Sequence, residues 1–207
     1  MPIRSYFPTR IHAATLPRGR AALLNAQLLR ECLQLSHDDV AGRRWSDSNY
    51  PGGYTSYASA NHMQRVSPTF AKLQRWLDGQ VARFARELEF DLGGAAGHKA
   101  LAMTDCWVNV MPRGTAHSLH LHPLSVISGT YYVRAPRGSP GLKFEDPRLD
   151  RYMGAPPRKA TAAARNRNWI ELPAVAGGAL LFESWLRHEV VANQSSGERI
   201  SISFNYA

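Results

Sequence analysis

The chain has 207 residues, of which 44% are hydrophobic and 20% are charged, and its net charge is +9. This balance excludes an intrinsically disordered chain and predicts one folded domain with a sizeable core. No apolar run approaches the ~18 residues of a membrane-spanning helix, and Met1–Arg4 lacks the apolar core of a signal peptide, so we expect a cytoplasmic protein with no membrane partner.

The N-terminal half reads as a strand and two helices. We predict a strand over 3–13, an amphipathic helix over Arg20–Leu35, and a turn-rich stretch over Asp47–Tyr57. A second helix is predicted to begin at Ser67 as N-cap, with Pro68 in its first turn. The apolar residues of this helix recur at intervals of three and four, which predicts a core-facing stripe: Phe70, Leu73, Trp76, Leu77, Val81, Phe84 and Leu88.

The sequence after residue 98 changes to short β-rich runs separated by turn residues. Eight strands are predicted there: 101–111, 116–122, 125–133, 142–145, 169–172, 179–182, 188–192 and 199–206. We therefore expect a mainly β, α+β fold, a cupin-like jelly roll with helices on one sheet. Residues 1–98 would be its helical support and 99–207 its β core, in one domain.

The two cysteines, Cys32 and Cys106, fall in a helical pattern and in a strand-like run. We expect buried free thiols rather than a disulfide, as in a reducing compartment.

Three of the eight histidines lie within His117–His122. Residues two apart on a strand leave the same face, so His120 and His122 can converge on one ion. His117 has the opposite parity and would point away unless a bulge intervenes. His188, which follows an apolar strand and a turn, is the expected third ligand.

Eleven residues after His188, Arg199 opens the last predicted strand, with Ser201 on the same face. The planar guanidinium suits bidentate binding of a carboxylate, and the serine adds a hydroxyl donor. The alternative is a structural ion pair between Arg199 and either Glu198 or Glu189.

Together these motifs resemble a small bacterial family of 2OG-Fe(II) oxygenases. The resemblance covers about residues 45–206 and rests on the blocks Gly53–Tyr57, Trp107–Val110 with Gly114, His120–Pro123, Ser128–Val133, Phe144–Arg148, Leu181–His188 and Glu198–Asn205. It implies a double-stranded β-helix and an enzyme, a dioxygenase that uses Fe(II), O2 and 2-oxoglutarate and releases succinate and CO2. The primary substrate, a small molecule or a peptide, is not implied.

The sequence departs from most of the superfamily at one ligand. A carboxylate usually stands two residues after the first histidine, and His122 stands there. Three arrangements remain open. In the first, His120, His122 and His188 bind iron. In the second, either His120 or His122 supports a ligand instead of binding the metal, and Asp146 or a water takes its place; in the third, the same three histidines bind another metal, such as zinc.

Further co-substrate donors are expected on neighbouring strands. Beside Arg199 and Ser201, these are Asn109, Tyr131 and Ser128, while Trp185, Trp107 and Tyr132 are candidates for the pocket wall.

The positive charge concentrates between Arg134 and Asn168, with nine basic and three acidic residues. Such a segment is either a solvated loop or a basic rim that attracts an anionic substrate or a nucleic acid. Two alternative functions stay open. The histidines also suit a three-histidine cupin-type metalloprotein that does not use 2-oxoglutarate, and the positive charge also suits a basic nucleic-acid-binding module.

Overall fold

The computed structural model describes residues 2–92 and 100–207, so the predicted boundary between residues 98 and 99 lies outside the described residues. These residues include four α-helices: α1 (Arg18–Asp38), α2 (Val40–Asn49), α3 (Met63–Val66) and α4 (Pro68–Glu87). The strands are β1 (Ile11–Thr15), β2 (Tyr54–Thr55), β3 (Met103–Met111), β4 (His117–His120), β5 (Ile127–Arg134), β6 (Leu142–Glu145), β7 (Trp169–Leu172), β8 (Gly178–Glu183), β9 (His188–Val190) and β10 (Arg199–Tyr206).

The strands form two antiparallel sheets that face each other. The major sheet has six strands in the order β1-β8-β5-β10-β3-β2, and the minor sheet has four in the order β4-β9-β6-β7. This arrangement confirms the predicted α+β class with a β-sandwich core. Helices α1 and α4 cover the outer face of the major sheet, where they pack with its alternate side chains into one apolar cluster.

Residue parity decides which face of the major sheet each side chain occupies. In β10, Ile200, Ile202, Phe204 and Tyr206 join the cluster with the helices. The intervening residues, from Arg199 onward, point between the two sheets. A second, smaller cluster that includes Tyr132, Phe144 and Phe182 fills part of that inter-sheet space. The rest of the space forms the pocket described below.

Helix α4 begins where the sequence predicts. The Ser67 hydroxyl accepts hydrogen bonds from the amides of Thr69 and Phe70, at 3.1 and 3.3 Å, and Pro68 occupies the first helical position. These contacts satisfy amides that lack a partner within the helix. Of the predicted stripe, Phe70, Leu73, Leu77, Val81 and Phe84 are buried, and Trp76 and Leu88 are partly buried against them.

Two N-terminal predictions were wrong. The first strand spans Ile11–Thr15 rather than 3–13, because Phe7 has a positive φ of 57° and Pro8 cannot donate to a ladder. The turn-rich stretch predicted over Asp47–Tyr57 starts later than expected, because helix α2 continues to Asn49. The Asp39 side chain caps α2 by accepting from the Gly42 amide at 2.9 Å.

Cys32 and Cys106 are buried free thiols, as predicted. Across residues 2–92 and 100–207, no helix has the length and apolarity needed to cross a membrane. The segment between β6 and β7 is a long loop with two short 3-10 turns, Leu149–Arg151 and Ala164–Asn166.

Candidate metal centre

Three histidines meet at one end of the minor sheet. His120 of β4 lies directly opposite His188 of β9 in the antiparallel pair. His122 lies just beyond the end of β4, where its amide donates to the Ser184 carbonyl at 3.0 Å. One ligand nitrogen from each of the three rings lies within 4.8 Å of the others. The structure therefore brings together the three imidazoles that the sequence singled out.

Hydrogen bonds fix which nitrogen of each ring faces the centre. The Nδ1 atoms of His120 and His188 lie 2.7 and 2.9 Å from the carbonyl oxygens of Ser118 and Leu186. The Nδ1 atom of His122 lies 2.6 Å from the side-chain oxygen of Asn205. Because these oxygens only accept, each Nδ1 carries the proton and each Nε2 keeps a free lone pair. Three such lone pairs form a set of neutral metal ligands.

Burial keeps these imidazoles neutral. Desolvation lowers the pKa of His122 to about 4, although the hydrogen bond to Asn205 partly opposes it. Desolvation likewise lowers the pKa of His120 and that of His188. At neutral pH the rings therefore need not lose a proton before they bind a cation.

His117 lies beside the three, not away from them. The β4–β9 register shifts between His117 and His120, which supplies the irregularity that would turn the side chain inward. The His117 ring stacks on His120 with centroids 4.3 Å apart and meets Tyr50 edge-on at 5.3 Å. His117 thus becomes part of the pocket wall.

Arg199 is buried in the same pocket, with 2% of its surface exposed. Its Nε donates to the Pro140 carbonyl at 3.0 Å, and its Nη1 donates to the Ser201 hydroxyl at 3.0 Å. In the part of the chain that the structure describes, Nη2 has no hydrogen-bond partner. A buried cation with an open donor is a strong site for an anion.

The structural ion pair considered for Arg199 is not formed. Glu198 pairs with Arg134, and Glu189 pairs with Lys143 at 2.7 Å. No carboxylate among the described residues lies within ion-pair distance of the Arg199 guanidinium. The aromatic ring of Tyr132 lies under it instead, 5.0 Å from its central carbon.

The pocket lies between the two sheets and is open to solvent. The histidines and Arg199 both line it. The lining residues are Tyr50, Trp107, Asn109, Met111, His117, His120, His122, Thr130, Leu142, His188, Val190, Arg199, Ser201 and Ser203. The mixed polar and apolar lining, with a buried guanidinium among the polar groups, suits a small organic anion.

Of the other predicted co-substrate donors, Ser201 and Asn109 line the pocket. The Asn109 amide nitrogen donates to the Ser203 hydroxyl at 3.0 Å, while its oxygen has no partner within the described ranges. Trp107 lines the pocket as anticipated, whereas Trp185 is not among the lining residues and is 46% exposed.

Tyr131 and Ser128 do not line the pocket. Tyr131 has the parity of the helix-facing residues, and its hydroxyl donates to the Asn25 side-chain oxygen at 2.6 Å. Ser128 faces inward but lies behind the histidines, where its hydroxyl donates to the Asn205 oxygen at 2.8 Å. The prediction that both residues contact the co-substrate is corrected accordingly.

Asp146 is not one of the converging ligands. Its two carboxylate oxygens accept from the Arg148 guanidinium at 2.9 and 2.8 Å, and the Tyr152 hydroxyl lies 3.2 Å away. Across residues 2–92 and 100–207, the histidine, cysteine and carboxylate side chains that converge as a possible metal site are His120, His122 and His188 alone. The substitute-ligand arrangement therefore lacks support.

Sequence reasoning missed several pocket residues, of which Tyr50 is the most informative. Tyr50 follows α2 in a turn and is 4% exposed, and its hydroxyl finds no partner among the described residues. Burial raises its pKa, although the charge of Arg199 opposes the shift. A neutral phenol near a buried guanidinium is a second donor for an anion. The Tyr50–Tyr54 turn motif was noticeable in the sequence, but nothing there placed it beside β10.

Comparison with known proteins identifies the chemistry. Residues 105–205 match the model of a family described as "Putative 2OG-Fe(II) oxygenase". No curated protein sequence matches the chain. Among solved structures, a Pseudomonas putida prolyl-4-hydroxylase has a TM-score of 0.59 at 15% identity, covering 96% of this chain and 92% of that one.

Two further structures are similar. HygX from Streptomyces hygroscopicus, with nickel and 2-oxoglutarate bound, has a TM-score of 0.59 at 13% identity, and the match covers 96% of this chain and 83% of HygX. A prolyl hydroxylase from Trichoplax adhaerens, in complex with a peptide fragment of the hypoxia inducible factor, has a TM-score of 0.58 at 15% identity, with 95% and 82% covered. At these identities the likeness establishes the jelly-roll fold. Residues 105–205, just under half of the chain, match the 2OG-Fe(II) oxygenase family model, and the protein is an enzyme that uses iron and 2-oxoglutarate.

Proposed function

We propose that His120, His122 and His188 bind Fe(II) through their Nε2 atoms and that Arg199 binds the distal carboxylate of 2-oxoglutarate. One observation carries the proposal: a buried guanidinium without a carboxylate partner lines the same pocket as three imidazoles with free Nε2 atoms. The first feature calls for an anion and the second for a cation. A dicarboxylic acid that also chelates the metal satisfies both.

The donor inventory of the pocket fits this ligand. Burying a guanidinium without a counter-ion costs several kcal/mol in general, and an incoming carboxylate recovers much of it. The open Nη2 atom of Arg199 and the free hydroxyl of Tyr50 are both available to carboxylate oxygens. Ser201 already accepts from Nη1 and so keeps its own proton for the ligand.

The protein residues act by holding and orienting. Iron and 2-oxoglutarate supply, when bound, the oxidative decarboxylation that yields succinate and CO2 and the activation of O2. His120, His122 and His188 would hold the metal as three neutral protein ligands, and the pocket that they line would admit the co-substrate and O2. Arg199 and Tyr50 set the direction of the 2-oxo acid. The apolar side chains of Trp107, Met111 and Leu142 line the same pocket and would limit the access of water to the reacting atoms.

We further propose that the reaction is a hydroxylation of an anionic substrate guided by the loop 146–168. This loop leaves β6 at Glu145, one residue past Phe144, which pairs with His188. Its base is fastened by the Asp146 amide, which donates to the Asn168 carbonyl at 2.8 Å. The loop therefore starts at the metal end of the minor sheet. It carries the exposed residues Arg158, Lys159 and Arg165, whose charge would attract a substrate of opposite sign.

The ligand assignments can be tested by anaerobic spectroscopy. Addition of Fe(II) and 2-oxoglutarate should produce the weak visible charge-transfer band of the chelate. The band should disappear in His120→Ala, His122→Ala and His188→Ala, and Arg199→Lys should shift its 2-oxoglutarate dependence to much higher concentration. A wild-type band that is unchanged in the histidine variants would contradict the proposed ligands.

Turnover separates this function from its alternatives. A three-histidine metalloprotein that does not use 2-oxoglutarate would consume O2 or bind zinc without forming succinate. A nucleic-acid-binding module would be retained on DNA or RNA with a steep salt dependence.

A triple alanine variant at Arg158, Lys159 and Arg165 tests the role of the loop. It should slow oxidation of an anionic substrate and leave uncoupled succinate formation unchanged, because these residues lie outside the pocket.

A further inference from the structure

The three histidines differ in what lies behind them. His120 and His188 each donate from Nδ1 to a backbone carbonyl two residues earlier in the chain. His122, which occupies the position where most of the superfamily has a carboxylate, donates instead to a side chain, that of Asn205 in β10. This difference points to a separate role for the group behind His122.

Asn205 connects His122 to a carboxylate. The His122 Nδ1 atom lies 2.6 Å from Asn205 Oδ1, and Asn205 Nδ2 donates to Asp105 Oδ2 at 3.4 Å. Because the Asp105 carboxylate only accepts, the amide nitrogen of Asn205 must face it and the amide oxygen must face His122. That orientation in turn requires the proton on Nδ1 and leaves Nε2 free for a metal.

Neighbouring hydroxyls hold this arrangement in place. The Ser128 hydroxyl donates to Asn205 Oδ1 at 2.8 Å and bonds the Ser184 hydroxyl at 2.7 Å. On the far side, Asp105 accepts from the Thr104 hydroxyl at 2.8 Å and from the Asn61 amide at 3.3 Å. Ser128 and Ser184 are each at most 1% exposed. The orientation of Asn205 is thus set from both ends.

We propose that Asn205 is a positioning residue that fixes the tautomer of His122 and relays the negative charge of Asp105 to the metal face. The proposal rests on the proposed binding of iron by His122. Hydrogen bonding of Nδ1–H to an oxygen that is itself polarised by a carboxylate makes Nε2 a stronger donor. Asp105 would thus supply, through Asn205 and His122, part of the negative charge that a carboxylate bound directly to the metal supplies in most of the superfamily.

Two variants separate the two parts of the relay. Asn205→Leu removes the acceptor of the His122 proton. Asp105→Asn removes the charge; with its amide oxygen in the place of Oδ2 it can still accept from Asn205 and Thr104, and only the contact from Asn61 is lost. The matched control is Asn25→Leu, because Asn25 bonds Tyr131 on the helix face of the same sheet. Each protein is studied as the full chain, metal-free and then with Fe(II) added without oxygen.

The first measurement needs no metal: nitrogen-15 NMR of the His122 ring in the metal-free protein. We expect the Nδ1–H tautomer in the wild type, in Asp105→Asn and in Asn25→Leu, and a mixture of tautomers in Asn205→Leu. The second measurement is Fe(II) affinity by competition with a chromophoric chelator. Asn205→Leu should weaken binding by about 10- to 100-fold and Asp105→Asn by about 3- to 10-fold, the usual range for groups behind a metal ligand.

The outcomes distinguish the two proposals. A wild type that binds no Fe(II) overturns the proposed function itself. A wild type that binds Fe(II), together with an Asn205→Leu variant of equal affinity and unchanged tautomer, overturns the relay alone. Because Asp105 is only partly buried, Asp105→Asn remains a test if Asn205→Leu disturbs β10, and an unchanged affinity in Asp105→Asn overturns the transfer of charge.

Discussion

The two faces of β10 have different roles: one packs in the apolar core and the other lines the pocket. Toward the helices the strand presents Ile200, Ile202, Phe204 and Tyr206, all fully buried in an apolar cluster. Toward the minor sheet it presents Arg199, Ser201, Ser203 and Asn205, which are linked by hydrogen bonds to the pocket and to the groups behind His122. One strand therefore supplies the core with its even residues and the site with its odd ones.

The difference shows where stability and chemistry come from. The helix face buries hydrocarbon, which stabilises the fold roughly in proportion to the area removed from water. The pocket face holds a guanidinium nitrogen of Arg199 that has no hydrogen-bond partner among the described residues, and the hydroxyl of Tyr50, in the same pocket, also has none there. Such groups oppose folding until a ligand satisfies them. Changes on the two faces should consequently affect different measurements.

The largest expected effect is on the helix face. Phe204→Ala removes a fully buried ring, and its free energy of unfolding should fall by about 3–5 kcal/mol. Denaturant titration measures this loss. The adjacent Ser203→Ala, on the pocket face, should change stability by less than about 1 kcal/mol. A loss of 2-oxoglutarate binding free energy in folded Phe204→Ala as large as its loss of unfolding free energy would contradict the division between the two faces.

The converse change is at Arg199. Arg199→Met should weaken 2-oxoglutarate binding by about 100-fold or more, because charged hydrogen bonds contribute about 1.5–3 kcal/mol each. The free energy of unfolding of the ligand-free protein should stay equal or rise, since an uncompensated buried charge is replaced by a hydrophobic side chain. Calorimetric titration and denaturant curves measure the two quantities. Arg134→Met, whose partner Glu198 is solvent-accessible, is the control and should change neither by much.

Acid should weaken the metal-free fold through the histidine cluster. Burial lowers the pKa of His122 to about 4, compared with about 6.5 in an unfolded chain. Between these pH values the unfolded state binds more protons, so stability is lost as the pH falls from about 6.5 toward 4. Each such histidine contributes a slope of at most about 1.4 kcal/mol per pH unit. In the double variant His122→Gln, His188→Gln the slope should be shallower, and an equal slope would contradict the assignment.

The smallest predicted effect is at Tyr50. Tyr50→Phe removes one neutral hydroxyl and should weaken 2-oxoglutarate binding by about 3- to 10-fold, as expected for a neutral hydrogen bond. Tyr131→Phe is the matched control, because the Tyr131 hydroxyl bonds Asn25 on the helix face. Equal losses in the two variants would mean that Tyr50 does not contact the ligand.

The sequence was most informative where spacing alone determines geometry. His120, His188 and Arg199 lie on strands whose pairing follows from turn signals and from the alternation of apolar residues. Their convergence therefore needed no knowledge of distant segments. The start of α4 was likewise predictable, since Ser67 and Pro68 form a local capping signal.

Other residues depend on contacts that no local pattern records. Tyr131 and Tyr132 are adjacent and chemically alike, and only the register of β5 assigns Tyr132 to the inner face. Tyr50 reaches the pocket from a turn after α2, a helix too polar for the periodicity to reveal. Asp146 looked available in the sequence, but Arg148, two residues later, binds both of its oxygens.

If Arg199 binds 2-oxoglutarate as proposed, the stability of this enzyme depends on the concentration of its co-substrate. A ligand that binds only the native state adds RT ln(1 + [L]/Kd) to its stability, about 2.7 kcal/mol at a hundredfold excess over Kd. A cell rich in 2-oxo acids would thus keep the protein long-lived, and one depleted of them would hold a population that opens and is degraded sooner. Abundance and activity would then rise and fall with the same metabolite.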